Sequence, residues 1–106
     1  MSASTAAERI AAFEEPGYLG YDELTLLVQA FAEAYPTLVR CRSIGQSPEG
    51  REIWLLTIAG GGGTDVEKRP AILIEGNIHA GEVTASSAAL YTAKRLLEGY
   101  GQNKAI

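Results

Sequence analysis

The chain has 106 residues, of which 46% are hydrophobic and 21% are charged, ordinary proportions for a folded domain. Its formal charge is −4, from 13 acidic and 9 basic residues, and the basic residues form no cluster, which argues against nucleic acid or an anionic membrane surface as a partner. No apolar run approaches the roughly 20 residues of a membrane-spanning helix. We therefore expect one folded domain that binds neither nucleic acid nor a membrane.

The cysteine and histidine content limits the chemistry of the chain. It contains one cysteine, Cys41, and one histidine, His79. A single cysteine forms no intrachain disulfide, which argues against a disulfide-stapled secreted scaffold. The N-terminus also lacks the basic and apolar regions of a signal peptide, so we expect a cytoplasmic protein. A metal site built from this sequence is short of nitrogen and sulfur ligands.

The first 20 residues predict a flexible lead-in, with a helical turn around Ile10 and Phe13 that ends at residues 14–17. The first long element is a helix predicted over residues 22–35. Its apolar residues form one stripe on the helix surface: Leu24, Leu27, Val28, Phe31 and Tyr35. Pro36 ends this helix because the residue before a proline is disfavoured in the α region.

An antiparallel hairpin is predicted next. Apolar and charged residues alternate over residues 38–44, which indicates a strand with one solvent-exposed face. Residues 45–50 have the composition of a turn. A second apolar run over residues 52–59 completes the hairpin. The glycines of residues 60–63 predict a flexible surface loop.

The last two predicted elements are a strand over residues 71–74 and a helix over residues 83–98. The strand is continuously apolar, as is typical of a strand covered on both faces, and Gly99 ends the helix. The order helix, antiparallel hairpin, buried strand, helix predicts an α/β fold with an incomplete sheet. An open strand edge favours association, so we expect this chain to associate, and we interpret it as the N-terminal portion of a larger domain.

Candidate metal ligands follow the predicted buried strand, in the sequence Glu-Gly-Asn-Ile-His-Ala-Gly-Glu of residues 75–82. His79 and Glu82 are three residues apart at a helix entry, a spacing that can aim both side chains at one point. Imidazole and carboxylate are standard ligands of a zinc ion that keeps one open position. Gly76 and Gly81 allow sharp turns between them. An exposed histidine and a glutamate that compensates the helix dipole are the alternative interpretation of the same pair.

Two further features lie upstream, the Tyr-Pro step at residues 35–36 and the turn sequence Gly-x-Ser-x-Glu-Gly-Arg over residues 45–51. Together with the later His-x-x-Glu, their order along most of the chain resembles the zinc carboxypeptidases of the M14 peptidase family. The resemblance implies an α/β/α sandwich with a mixed sheet. Residues 21–106 would be the N-terminal portion of that catalytic domain, preceded by residues 1–20.

The resemblance implies a metallocarboxypeptidase, which hydrolyses the C-terminal peptide bond of a peptide or protein with a zinc-activated water. His79 and Glu82 would then be two of three protein ligands of one Zn²⁺. The family's third ligand, its general base and its substrate-binding arginines would all lie beyond Ile106. No catalytic residue is therefore assigned within the chain, and we expect the 106 residues alone to be inactive.

Several alternatives stay open at this point. Ser47, Glu49 and Arg51 are interpreted as turn residues, because no second histidine is available to activate Ser47. The Ala-Gly pair between the two candidate ligands favours the peptidase branch over related deacylases. A zinc-dependent deacylase or amidohydrolase, and a non-catalytic α/β domain that binds a partner through its open sheet edge, are the alternative functions. The sequence indicates neither the preferred C-terminal side chain nor the oligomeric state.

Overall fold

The computed structural model describes residues 4–14, 18–61 and 65–106. It contains the helices α1 (Ala6–Ala12), α2 (Tyr21–Ala34) and α3 (Ala85–Gly99), the strands β1 (Val39–Gln46) and β2 (Glu52–Ile58), and a 3-10 turn, Val66–Lys68. The long helix, the antiparallel hairpin and the final helix of the predicted α/β fold are confirmed. The predicted helix stop at residues 14–17 and the glycine loop at residues 60–63 lie partly outside the described residues.

Helix α1 contributes to the core. Its first turn is capped by Thr5, whose Oγ1 accepts a hydrogen bond from the backbone nitrogen of Glu8 at 3.1 Å. Ile10 is only 3% exposed. The Phe13 ring meets the ring of Tyr91 edge to face, with 6.2 Å between the centroids. The helical turn expected around Ile10 is thus a seven-residue helix that packs on the rest of the chain.

Helix α2 forms the centre of the molecule because it contacts both α1 and the hairpin. The stripe predicted on its surface is confirmed, since Leu27, Val28 and Phe31 are buried and Phe31 is 0% exposed. The apolar core joins residues of all three helices and of β1: Ile10, Leu27, Val28, Ala30, Phe31, Val39, Leu90, Ala93 and Leu97.

The hairpin pairs β1 with β2 in an antiparallel register. Val39 lies opposite Ile58 and Cys41 opposite Leu56. In the first half of β1 the core-facing Val39 and Cys41 alternate with exposed residues, and the second half of the strand is exposed. Cys41 packs against the core, and this burial raises the pKa of its thiol. Cys41 therefore serves as a small apolar residue of the sheet.

Two side-chain hydrogen bonds connect the hairpin to α2. Trp54 donates from Nε1 to Oγ1 of Thr25 at 3.0 Å, and the Tyr21 hydroxyl donates to the backbone oxygen of Glu52 at 2.9 Å. Both bonds are partly buried, where a lost partner is costly. They set the position of the sheet on the helix, in addition to the apolar contacts beneath it.

The prediction of a buried strand over residues 71–74 is wrong in the structure. The described residues form one sheet of two strands, and residues 71–77 have no regular secondary structure. Ile72 and Leu73 are 90% and 74% exposed. A strand needs a neighbour that takes up its backbone hydrogen bonds, and no described part of the chain hydrogen-bonds to the backbone of residues 71–78. The sheet is therefore incomplete, as expected, and the apolar residues 71–74 are not paired with it.

Helix α3 begins at Ala85, two residues later than predicted. It packs Leu90, Ala93 and Leu97 into the core. Its buried Lys94 donates a hydrogen bond from Nζ to the backbone oxygen of Phe13 at 2.6 Å. This hydrogen bond gives the buried ammonium group a partner. In the described part of the chain, no helix has the length and apolar character needed to cross a membrane.

The carboxylate of Glu52 gives a pH-dependent test of the hairpin. It accepts hydrogen bonds from the hydroxyl of Ser43 and, at 2.8 Å, from Nε2 of Gln46. These bonds, Ser43 first, hold the pKa of Glu52 below the usual range of a glutamate. Because the folded pKa is lower than the unfolded one, the stabilisation is present at neutral pH and is lost as the pH falls through the folded pKa.

We expect Ser43→Ala to raise the Glu52 titration midpoint, measured by NMR on the side-chain carboxyl carbon. Ser86→Ala on α3 is the matched control and should leave that midpoint unchanged. An unchanged midpoint in Ser43→Ala would show that the serine hydroxyl does not lower the pKa.

Candidate metal centre

Residues 75–84 connect the exposed apolar segment to α3, and two of them have unusual backbone environments. A Cβ atom on Gly76 would lie 2.6 Å from the backbone oxygen of Ala85 and 3.0 Å from the backbone nitrogen of Ser86, so only glycine fits there. Asn77 has a φ of +67°, a left-handed conformation for which asparagine is enriched. The loop therefore turns sharply while it lies against the start of α3.

Only part of the expected glycine role is confirmed. Gly76 is required by a close backbone approach, but a Cβ on Gly81 would meet open space, and Gly81 has no positive φ. The left-handed residue is Asn77 instead, which the sequence analysis did not single out. The enrichment of asparagine among left-handed residues is the one signal that pointed to it.

A short turn brings His79 and Glu82 together. The backbone nitrogen of Glu82 donates to the backbone oxygen of His79 at 3.0 Å, which closes the four-residue turn. The carboxylate of Glu82 in turn accepts from the backbone nitrogen of His79, with 3.1 Å to Oε1. Its second oxygen, Oε2, lies 3.2 Å from Nδ1 of the imidazole. The spacing predicted that these side chains converge, and the structure places them in contact.

Glu82 does not act as a cap of α3. It precedes the helix, and the capping position is Thr84, which makes no side-chain capping hydrogen bond. The first turn of α3 holds no acidic residue, and both carboxylate oxygens of Glu82 are directed to His79. The alternative interpretation, in which Glu82 compensates the helix dipole, therefore lacks support from the geometry.

The two side chains fit the donor set and the spacing of a zinc site. Two donors bound to one tetrahedral zinc ion at its usual bond lengths lie roughly 3.4 Å apart, and Nδ1 of His79 and Oε2 of Glu82 are 3.2 Å apart. The side chains are 79% and 45% exposed, so an ion can reach them from solvent. Within residues 4–14, 18–61 and 65–106, no group of three or more metal-ligating side chains forms.

The turn between β1 and β2 holds its polar residues in local contacts. Ser47 accepts from the backbone nitrogen of Arg51 at 3.2 Å through Oγ, and its own nitrogen donates to the backbone oxygen of Arg51 at 2.8 Å. Arg51 forms an exposed ion pair with Glu49, with 3.0 Å between Nη1 and Oε1. The Cζ atom of its guanidinium lies 5.9 Å from the ring centre of Tyr21. These contacts agree with the interpretation of the three residues as turn-forming.

An apolar cavity of about 170 Å³ lies between the end of β2 and the C-terminal end of α3. Its wall includes Ile58, Leu97 and Tyr100. Neither His79 nor Glu82 lines it, so this cavity is not part of the candidate metal centre.

Comparisons with known proteins identify a matching family and several relatives of the chain. The family model described as "Zinc carboxypeptidase" matches residues 24–106, a range that includes both candidate ligands. "Carboxypeptidase A1" of Homo sapiens is 41% identical over 86 residues, which cover 81% of this chain and 19% of that protein. "Zinc carboxypeptidase" of Saccharothrix mutabilis subsp. capreolus is 34% identical over 94 residues, which cover 85% of this chain and 21% of that protein.

A third relative has a different name. "Inactive metallocarboxypeptidase ECM14" of Ajellomyces capsulatus is 34% identical over 89 residues, which cover 81% of this chain and 15% of that protein. The chain spans less than a quarter of the length of each of the curated relatives described here. The likeness therefore concerns one segment of those longer proteins.

Proposed function

Since the chain belongs to the zinc carboxypeptidase family, whose model matches residues 24–106, we propose that it acts as part of a metallocarboxypeptidase in which His79 and Glu82 bind zinc. One observation carries the assignment of the ligands: the turn holds Nδ1 of His79 and Oε2 of Glu82 3.2 Å apart on an exposed surface. The substrate of such a hydrolase is the C-terminus of a peptide or protein, whose terminal peptide bond it cleaves.

Zinc, when bound, supplies Lewis-acid polarisation of the scissile carbonyl and lowers the pKa of a bound water toward about 7. The residues of this chain hold and orient the ion. One carboxylate oxygen of Glu82 accepts a hydrogen bond from the backbone N–H of His79. The other carboxylate oxygen lies beside the imidazole. The turn thus fixes both donors before metal arrives, and less ordering remains to be done on binding. A further protein ligand would complete the three of a catalytic site.

The relative named as an inactive metallocarboxypeptidase favours a second candidate function, a family member without catalysis. This segment occurs both there and in proteins named as carboxypeptidases. In a protein that contains the whole domain, chelator-sensitive hydrolysis of a blocked dipeptide but not of an N-acyl amino acid would favour the peptidase over this candidate and over a deacylase.

The test of the ligand assignment is zinc binding by the chain, measured by isothermal titration calorimetry. We expect one Zn²⁺ to bind per chain. His79→Ala and Glu82→Gln should each weaken binding by at least about tenfold, because even residues that only orient a metal ligand contribute about 10–100-fold.

Glu98→Gln is the matched control for these titrations, because it neutralises an exposed carboxylate at the far end of α3. It should leave zinc affinity unchanged. Equal zinc affinity in the wild-type chain and in His79→Ala would exclude the imidazole as a ligand. Equal loss in Glu98→Gln and Glu82→Gln would mean that only general negative charge attracts the ion.

A further inference from the structure

The loop between Gly76 and Ala85 begins and ends at nearly the same place. A Cβ atom on Gly76 would lie 2.6 Å from the backbone oxygen of Ala85, so the two ends of the loop are in contact. The turn closed by the backbone hydrogen bond from Glu82 to His79 lies within this loop. The chain must therefore change direction in the few residues between Gly76 and His79.

Asn77 is the residue at which this loop departs from ordinary backbone geometry. Its φ is +67°, and no other non-glycine residue in the described part of the chain has a positive φ. The left-handed conformation is disfavoured for most residues because Cβ comes too close to the following carbonyl oxygen, whereas asparagine adopts it more readily. Asn77 is exposed and lies two residues before His79. Its φ therefore affects the direction in which the chain enters the turn.

We propose that Asn77 is a positioning residue of the candidate metal centre, whose left-handed backbone orients the chain so that His79 and Glu82 converge. The proposal rests on the assignment of these two side chains as zinc ligands. The carboxylate of Glu82 contacts both the backbone nitrogen and Nδ1 of His79, at 3.1 and 3.2 Å. The direction of that backbone N–H follows from the path of the chain through residues 77 and 78. Asn77 thus acts through the turn, without touching the ion.

A residue that disfavours a positive φ at position 77 should reduce the fraction of molecules in which the two ligands converge. The steric cost of the left-handed conformation for an ordinary residue corresponds to a change in population of roughly 5–30-fold, and β-branched residues tolerate it least. The apparent affinity of a ligand falls by the same factor as the population of the binding-competent state. Zinc affinity should therefore depend on residue 77 even when both ligands are unchanged.

Zinc titration of variants at position 77, by isothermal titration calorimetry on the whole chain, tests this dependence. We expect Asn77→Val to weaken zinc binding about tenfold. Asn77→Gly should bind zinc with nearly wild-type affinity, because glycine adopts a positive φ without steric cost. Asn103→Val is the matched control, since Asn103 is an exposed asparagine beyond the end of α3 and has no positive φ. It should leave zinc affinity unchanged.

Hydrogen exchange of the His79 backbone amide measures the same effect without metal. This N–H donates to Oε1 of Glu82, and hydrogen bonding slows the exchange of an amide proton. We expect faster exchange in Asn77→Val than in the wild-type chain, and the wild-type rate in Asn77→Gly. Residue 77 is not adjacent to this amide in the sequence and is exposed, so the far-ultraviolet circular dichroism should be the same in all three proteins.

The ligand assignment and the positioning role of Asn77 fail in different ways. Absence of zinc binding by the wild-type chain would overturn the ligand assignment, and with it the role of Asn77 toward zinc. Zinc binding that is the same in the wild-type chain and in Asn77→Val would overturn the positioning role alone. Equal losses in Asn77→Val and Asn77→Gly would overturn it by showing that the asparagine side chain is required. Equal losses in Asn77→Val and Asn103→Val would overturn it by showing a nonspecific effect.

Discussion

Phe31→Ala is expected to lower the free energy of unfolding by about 3–5 kcal/mol. Phe31 lies on the inner face of α2 and has no exposed surface, so truncation leaves a cavity at the centre of the core as well as losing apolar burial. Domains of ordinary stability have only about 5–15 kcal/mol in total. The expected loss is therefore a large fraction of the total stability of such a domain.

Urea unfolding followed by far-ultraviolet circular dichroism measures this effect. Leu26→Ala is the matched control, because Leu26 lies on the exposed side of the same helix and alanine preserves helix propensity. It should change the free energy of unfolding by less than about 1 kcal/mol. Similar losses in both variants would mean that α2 does not pack through the Phe31 face.

Ile10→Ala is expected to cost about 2–5 kcal/mol of stability. Ile10 is 3% exposed and belongs to the same core as Phe31, although it lies outside the range matched by the family model. Helix α1 is too short to be stable alone, so its order depends on this burial. Loss of the Ile10 side chain should therefore release α1, which hydrogen exchange on residues 6–12 would detect as lost protection.

The control for Ile10→Ala is Ile44→Ala, since Ile44 is an exposed isoleucine at the end of the hairpin. Its replacement should change the free energy of unfolding by no more than about 1 kcal/mol. If Ile10→Ala instead matched the wild-type chain in both stability and exchange, the N-terminal segment would be the flexible lead-in that the sequence predicts.

Family membership was evident from the order of motifs along the chain. No single motif is specific, but the Tyr-Pro step, the turn sequence of residues 45–51 and the His-x-x-Glu occur in the order of zinc carboxypeptidases, and the family match over residues 24–106 confirms that resemblance. The roles of His79 and Glu82 as zinc ligands stay predictions. The structure adds that the turn brings their side chains into contact.

Local patterns determined α2 and the hairpin. The 3.6-residue periodicity of α2 predicts the buried face that includes Phe31, because residues three or four positions apart lie on the same side of a helix. The turn residues between β1 and β2 fix a short reversal that pairs adjacent segments of chain. The convergence of His79 and Glu82 was also predictable, since residues three apart in a tight turn are close whatever lies around them.

Tertiary structure decided the features that depend on distant partners. The apolar residues 71–74 predict a strand, but strand formation requires a neighbour to take up the hydrogen bonds. Ile10 is buried because α2 provides a surface for α1, which a seven-residue helix does not specify by itself. Gly76 is required because the start of α3 approaches its Cα. Sequence determines the contacts between residues close along the chain, whereas burial and pairing depend on the segments that the folded chain brings together.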